Sequence, residues 1–200
     1  RSLSGAGLQT AGLAFGGSAA TVSNATEEYD GSAWTGGGNM STARRNLGGA
    51  GIQTLALGFG GYTTTVVANT EEYDGSAWTS GGNLATARRE LRGAGTQTAG
   101  LAFGGDTGGA TAVTATEEYD GSAWTGGGNL GTARYGHGGA GIQTAGLAFG
   151  GYTGTVNTAV TEEYNGTSWT ASTSMATARA FLGNSGTQTS ALGFGGYTTT

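Results

Sequence analysis

Four adjacent carboxylate pairs, Glu27-Glu28, Glu71-Glu72, Glu117-Glu118 and Glu162-Glu163, are the groups best placed for acid–base chemistry. Two carboxyls about 5–9 Å apart across one bond can hydrolyse a glycoside. Each pair, however, lies in a stretch that reads as a strand, where adjacent side chains point to opposite faces. One pair therefore cannot converge on one bond. Its return in four places reads as architecture, and one Glu of each pair is expected to meet a guanidinium from a Thr-Ala-Arg segment, namely Arg44, Arg88, Arg134 or Arg179.

Other chemistry is sparse. His137 is the single histidine, too little for a metal cluster or a Ser-His-acid triad, and reads as an exposed loop residue. There is no cysteine, so thiolate nucleophiles, Cys-ligated metals and disulfides are excluded. Glycine runs such as Gly36-Gly37-Gly38 lack the Lys-Ser/Thr and the helix start of a phosphate loop. Gly104-Gly105-Asp106 is too isolated for a calcium repeat. We therefore expect no catalytic residue, no metal and no cofactor. All 8 basic residues are Arg and the net charge is −5, which argues against a nucleic-acid partner. No apolar run approaches the roughly 20 residues of a spanning helix, so membrane insertion is not expected either. The sequence begins at Arg1 rather than Met, which fits a processed chain or a window of a longer one.

The elements carrying these residues follow from a repeat. Gly-Ala-Gly-x-Gln-Thr, followed by a run ending Phe-Gly-Gly, begins at Gly5, Gly49, Gly93, Gly139 and, altered, at Asn184, at intervals of 44, 44, 46 and 45 residues. Glu-Glu-Tyr-Asp-Gly-Ser-Ala-Trp-Thr occurs at Glu27, Glu71 and Glu117, and loosely at Glu162. Leu, Ile, Val and Phe supply only 27 of 200 residues against 44 Gly, a balance that alone suggests disorder. Aromatic residues at fixed phase argue instead for a packed array.

Within one unit, Gly49 to Ile52 reads as a first strand, and Leu55-Ala56-Leu57-Gly58-Phe59 alternates large and small as a second. Such a sheet stacks its large face on the small face of the next. Thr-rich Tyr62 to Thr70 leads to a third strand, Asp74-Gly75 makes a turn, and Trp78-Thr79 opens a fourth. The fold class is all-β, with four-stranded antiparallel blades of about 45 residues, the layout of a β-propeller. The whole chain, 1–200, reads as one domain with repeats starting near residues 1, 45, 89, 135 and 180, the last of half length.

Gly60-Gly61, Tyr73, Trp78 and Arg88 resemble the kelch motif, as do Gly16-Gly17, Tyr29, Trp34 and Arg44; Gly104-Gly105, Tyr119, Trp124 and Arg134; and Gly150-Gly151, Tyr164, Trp169 and Arg179. The resemblance spans the chain, and the wording also resembles kelch-like arrays of bacteriophage structural and tail-fibre proteins. It implies a propeller of structural Trp, Tyr and Arg positions, and a virion, extracellular or cell-surface setting. Five first-hairpins stand against four second-hairpins, so either four blades close with one hairpin left over or a five-blade ring takes its missing hairpin from elsewhere; Gly and Ala in the inner strand let strands approach closely and favour a small ring, here five blades.

The loops within hairpins barely change between repeats, whereas those from Gly-Gly to Thr-Glu-Glu contain 8, 8, 10 and 9 residues and differ in sequence. A constant scaffold with one variable rim suits a binding surface. Tyr62, Arg92, Asp106, Tyr135, His137 and Tyr152 are the expected rim contacts, for a glycan or protein partner. The alternative is a purely structural module whose ring is completed by self-association or by other parts of a larger chain.

Overall fold

The computed structural model describes residues 2–198, which form 18 strands and no helix. The first sheet holds β1 (Ser4–Leu8), β2 (Ala11–Phe15), β3 (Thr26–Tyr29) and β4 (Trp34–Gly36); the second β5 (Gly48–Ile52), β6 (Leu55–Phe59), β7 (Thr70–Tyr73) and β8 (Trp78–Ser80). The third holds β9 (Arg92–Gly95), β10 (Gly100–Phe103), β11 (Thr116–Tyr119) and β12 (Trp124–Gly126); the fourth β13 (Gly138–Ile142), β14 (Ala145–Phe149), β15 (Thr161–Tyr164) and β16 (Trp169–Ser172). A fifth sheet has two strands, β17 (Gly183–Gly186) and β18 (Ala191–Phe194). Every pairing joins chain neighbours antiparallel, so each repeat folds as one meander.

The sheets stack as the large–small alternation requires. Leu13 and Phe15 of the first sheet share a cluster with Ala56, Tyr73 and Trp78 of the second. Leu57 and Phe59 meet Ala102, Tyr119 and Trp124 of the third in the same way, and Leu101 and Phe103 meet Ala148, Tyr164 and Trp169 of the fourth. The small face is obligatory. A methyl group on Gly100 would lie 2.9 Å from a Leu57 methyl, and one on Gly146 would lie 2.8 Å from Leu101.

Neighbouring first strands touch in the order β1, β5, β9, β13, β17. Just before them, Ser2, Asn46, Glu90, Gly136 and Phe181 all adopt left-handed backbone, with φ of 56–61°. They pass one hydrogen bond from repeat to repeat: Asn46 N–H to Ser2 O (2.9 Å), Glu90 to Asn46 (2.7 Å), Gly136 to Glu90 (3.0 Å) and Phe181 to Gly136 (2.6 Å). For four non-glycine residues that geometry costs energy, of order 1 kcal/mol each, and persists because both neighbours fix it. A cavity of about 230 Å³ beside this chain of bonds is bordered by residues of all five repeats. The sheets do not close into a complete ring: a cavity of about 600 Å³ is lined by the inner strands at Gly49 and Gly93 and opens between Leu8, Tyr29 and Trp34 of the first sheet and Asn184 and Phe194 of the fifth.

Candidate functional site

The charged groups are concentrated where one sheet meets the next. Arg44 is fully buried, and its guanidinium donates to the carbonyls of Gly60 (3.1 Å), Asn69 (2.5 Å) and Gly58 (3.2 Å) and to Glu71 Oε1 (3.2 Å). Arg88 repeats the arrangement on Gly104, Ala115 and Glu117, and Arg134 on Gly150, Val160 and Glu162. Burial pushes the Arg44 guanidinium down to about 10, opposed by the neighbouring Glu71 carboxylate. Arg88 and Arg134 are lowered for the same reason. Each remains a cation at neutral pH.

In the first three pairs the second Glu turns the other way, toward the following sheet. Glu28 accepts from the Tyr73 hydroxyl, Glu72 from Tyr119 and Glu118 from Tyr164. Burial and then these hydrogen bonds raise the three phenols to about 12, so they stay protonated donors. In the Glu71-Glu72 and Glu117-Glu118 pairs the two carboxylates are therefore held by different partners, an Arg for the first and a Tyr for the second, on opposite faces of the strand, which removes the geometry of an acid–base couple.

Two further contacts complete the joint. Trp78, Trp124 and Trp169 each donate their indole N–H to a Thr hydroxyl of the preceding sheet, Thr26, Thr70 and Thr116, at 2.9 Å. The Gln of each Gly-x-Gln-Thr turn donates to two carbonyls of the preceding sheet: Gln53 to Gly12 and Tyr29, Gln97 to Ala56 and Tyr73, Gln143 to Gly100 and Tyr119, Gln188 to Gly146 and Tyr164. The repeated phrase shows these Gln residues in the sequence but does not by itself give them a role. The signal was their presence in all five copies of a turn that needs no amide.

At the ends of the array the same residues lack these partners. Trp34 is 53% exposed, whereas Trp78 and Trp124 are 8% exposed. Among the described residues Arg179 makes no ion pair and donates only to Gly195 O (3.3 Å), with its Nε buried and unpaired.

The six expected rim contacts are placed less openly than expected. Tyr62 is half-buried, its ring 5.1 Å from the guanidinium carbons of both Arg45 and Arg89. Asp106 is buried, paired with Arg89 at 2.8 Å and accepting Gly108 N–H at 2.8 Å. Tyr135 is buried edge-on to half-buried Tyr152, ring centres 5.5 Å apart. Each of the three loop pairs Arg45/Tyr62, Arg89/Asp106 and Tyr135/Tyr152 forms a β-bridge within one repeat, between the loop that enters the sheet and the loop that leaves its second strand. Arg92 lies on β9 rather than in a loop; its Nε donates to His137 O (2.5 Å) and its Nη2 to Leu182 O (3.1 Å), reaching across the central cavity to the fifth repeat.

His137 corrects the reading of an exposed loop residue: it has no solvent exposure, and among the described residues neither ring nitrogen has a hydrogen-bond partner. It fills the position of Leu47, Leu91 and Leu182 and packs on Phe103, ring centres 5.4 Å apart. Burial, then the charges of Arg134, Arg92 and Arg88, hold it well below its ordinary value near 6.5. A group lowered in this way binds its proton more readily in the unfolded chain. Its penalty is absent above pH 6.5 and grows below it, by up to about 1.4 kcal/mol per pH unit. His137→Leu is expected to abolish that component. Between pH 7 and pH 5 the wild type should lose about 2 kcal/mol more than the variant in urea unfolding. Parallel loss in both proteins would place His137 in a wet environment.

Among the described residues no group of three or more His, Cys, Asp or Glu side chains is arranged to hold a metal ion. No protein-family model matches the chain, and a search of curated proteins finds no match.

Proposed function

We propose that this chain is a non-enzymatic module of the kelch-like propeller type, a rigid part of a larger assembly in which its open ends are covered. One observation carries this reading. The same inter-sheet joint, built from an Arg–Glu pair, a Tyr–Glu bond, a Trp–Thr bond and a Gln bridge, is made between every pair of complete sheets and left half-made at Trp34 and Arg179. Uncovered apolar and hydrogen-bonding surface of this kind favours association. Five blades around one axis are supported by the cavity that all five repeats border. A virion or cell-surface fibre is the setting that the kelch-like resemblance to phage arrays suggests. Particle images of the chain in its native assembly test the proposal. Five sheets around an axis, with the gap filled, are expected; an isolated particle with the gap open to solvent would overturn it.

A second reading, binding of a glycan or protein on the variable rim, has one observation in its favour. Tyr152, Tyr135, Phe181 and Tyr197 form a contiguous aromatic row, and Phe181 and Tyr197 are 45% and 72% exposed. Exposed aromatic faces stack on sugars and anchor protein partners. Glycan-array binding lost in Phe181→Ala would favour this reading over the first.

A further inference from the structure

We propose that the gap between the fourth, fifth and first sheets is a receptor for one β-hairpin of the Thr-Glu-Glu-Tyr…Trp type, added to the free edge of β18. The inference rests on the propeller-type assembly reading and names what fills its opening.

The three internal joints serve as the template. In each complete sheet the second strand pairs on both sides, whereas among the described residues β18 pairs only with β17. Beyond that edge stands a cavity of about 200 Å³, lined by Leu147, Phe149, Thr161, Met175 and Ala191 among others. At the internal joints the corresponding space is filled by a Tyr and a Trp of the next hairpin, as Phe59 is covered by Trp124 at 4.9 Å.

The polar groups facing the gap define the occupant's chemistry. Thr161 corresponds to Thr26, Thr70 and Thr116, whose hydroxyls each accept an indole N–H. Arg179 corresponds to Arg44, Arg88 and Arg134, each of which holds a carboxylate. Across the gap, Trp34 corresponds to the three Trp that donate to a Thr hydroxyl of the preceding sheet, and Tyr29 to the three Tyr that donate to a preceding Glu. A strand Thr-Glu-Glu-Tyr followed by a turn and Trp answers all four: its Trp donates to Thr161, its first Glu meets Arg179, its Thr accepts from Trp34 and its second Glu accepts from Tyr29. A generic strand could pair with the β18 backbone by edge addition, but would leave Arg179 without a carboxylate and Trp34 without an acceptor.

One local difference sets how the hairpin sits. A methyl group on Gly38, Gly82 or Gly128 would lie 2.1–2.3 Å from a carbonyl oxygen in the turn of the next hairpin, so no side chain fits there. The equivalent residue beside the gap is Thr173. Its neighbour Ser172 donates to Glu163 at 2.7 Å, doing for this Glu what a Tyr of the following sheet does elsewhere. The incoming turn must therefore sit further out than its internal counterparts, and its Tyr must displace the Ser172 hydroxyl.

The test is titration calorimetry of the whole chain with a synthetic peptide of residues 112–126, with a scrambled peptide as control. Saturable one-to-one binding is expected. Arg179→Ala in the chain and Glu→Gln at the first Glu of the peptide should each weaken it by about tenfold or more, and by no more in combination than singly. The double variant Ser172→Gly/Thr173→Gly should bind more tightly than the parent. No saturation at millimolar peptide, or equal binding by the parent and Arg179→Ala, would overturn the proposal. Particle images separate its failure from failure of the assembly reading: five sheets around one axis without peptide binding sink the receptor alone, and a different arrangement of sheets sinks both.

Discussion

Arg88→Ala is expected to destabilise the chain by about 3–5 kcal/mol, and Arg179→Ala by less than about 1. The two residues end the same Thr-Ala-Arg phrase, so the contrast isolates their surroundings. Arg88 is fully buried; removing it strips the donors from the Gly104 and Ala115 carbonyls and leaves the Glu117 carboxylate, 5% exposed, without its cation. A buried charge that has lost its partner cannot be resolvated without opening the joint. In an array where the conserved joints link each sheet to its neighbours, opening the joint between the second and third sheets removes the main packing that holds the first two sheets to the rest. A cost of this size is a large part of the roughly 5–15 kcal/mol that holds a domain folded. Arg179 gives up one 3.3 Å bond to Gly195 and no ion pair. Urea unfolding of both variants reads the difference. Equal losses would mean that Arg179 has found a carboxylate in solution, and equal indifference would mean that water reaches Glu117.

Most of the array was legible because the period carries it. Large–small alternation at Leu55 to Phe59 set the stacking, the Asp-Gly turns set the second hairpins, and adjacent Glu residues on a strand had to part to opposite faces. The burial of His137, Asp106 and Tyr135 was not legible for a physical reason. Variation between repeats marks positions free of the common packing rule, but it does not say whether the new side chain faces water. His137 varies in a column otherwise filled by Leu, and Arg92 in a column holding Ser4, Gly48, Gly138 and Gly183; both columns face inward. Arg92 is tolerated because the central cavity is open enough for a long side chain to cross it and bond to Leu182. Asp106 and Tyr135 vary because each repeat ties its own two loops together by a different side-chain pair, Arg89 with Asp106 in one case and Tyr135 with Tyr152 in the other. Reading the columns by the character of their majority residue would have placed His137 in the core.

Trp124→Ala is expected to cost about 3–5 kcal/mol, while Trp34→Ala in the same motif costs less than about 1. The Trp124 ring lies 4.9 Å from Phe59 of the preceding sheet and 4.9 Å from Tyr119 of its own, and its N–H is satisfied by Thr70. Truncation leaves a void between two sheets that the rigid backbones of β6 and β12 cannot collapse to fill, and it orphans a buried hydroxyl. Among the described residues the one ring that Trp34 packs on is Tyr29, ring centres 5.2 Å apart, and its outer face lies in the gap. Guanidinium unfolding of the two variants, with iodide quenching of indole fluorescence, distinguishes the cases, since only an uncovered Trp34 adds a strongly quenched component to the wild type. A comparable loss in both variants would show that Trp34 is covered in solution. The first sheet would then already be in contact with a neighbour, and the gap flanked by Trp34 and Phe194 would be an occupied joint of the assembly rather than a free surface.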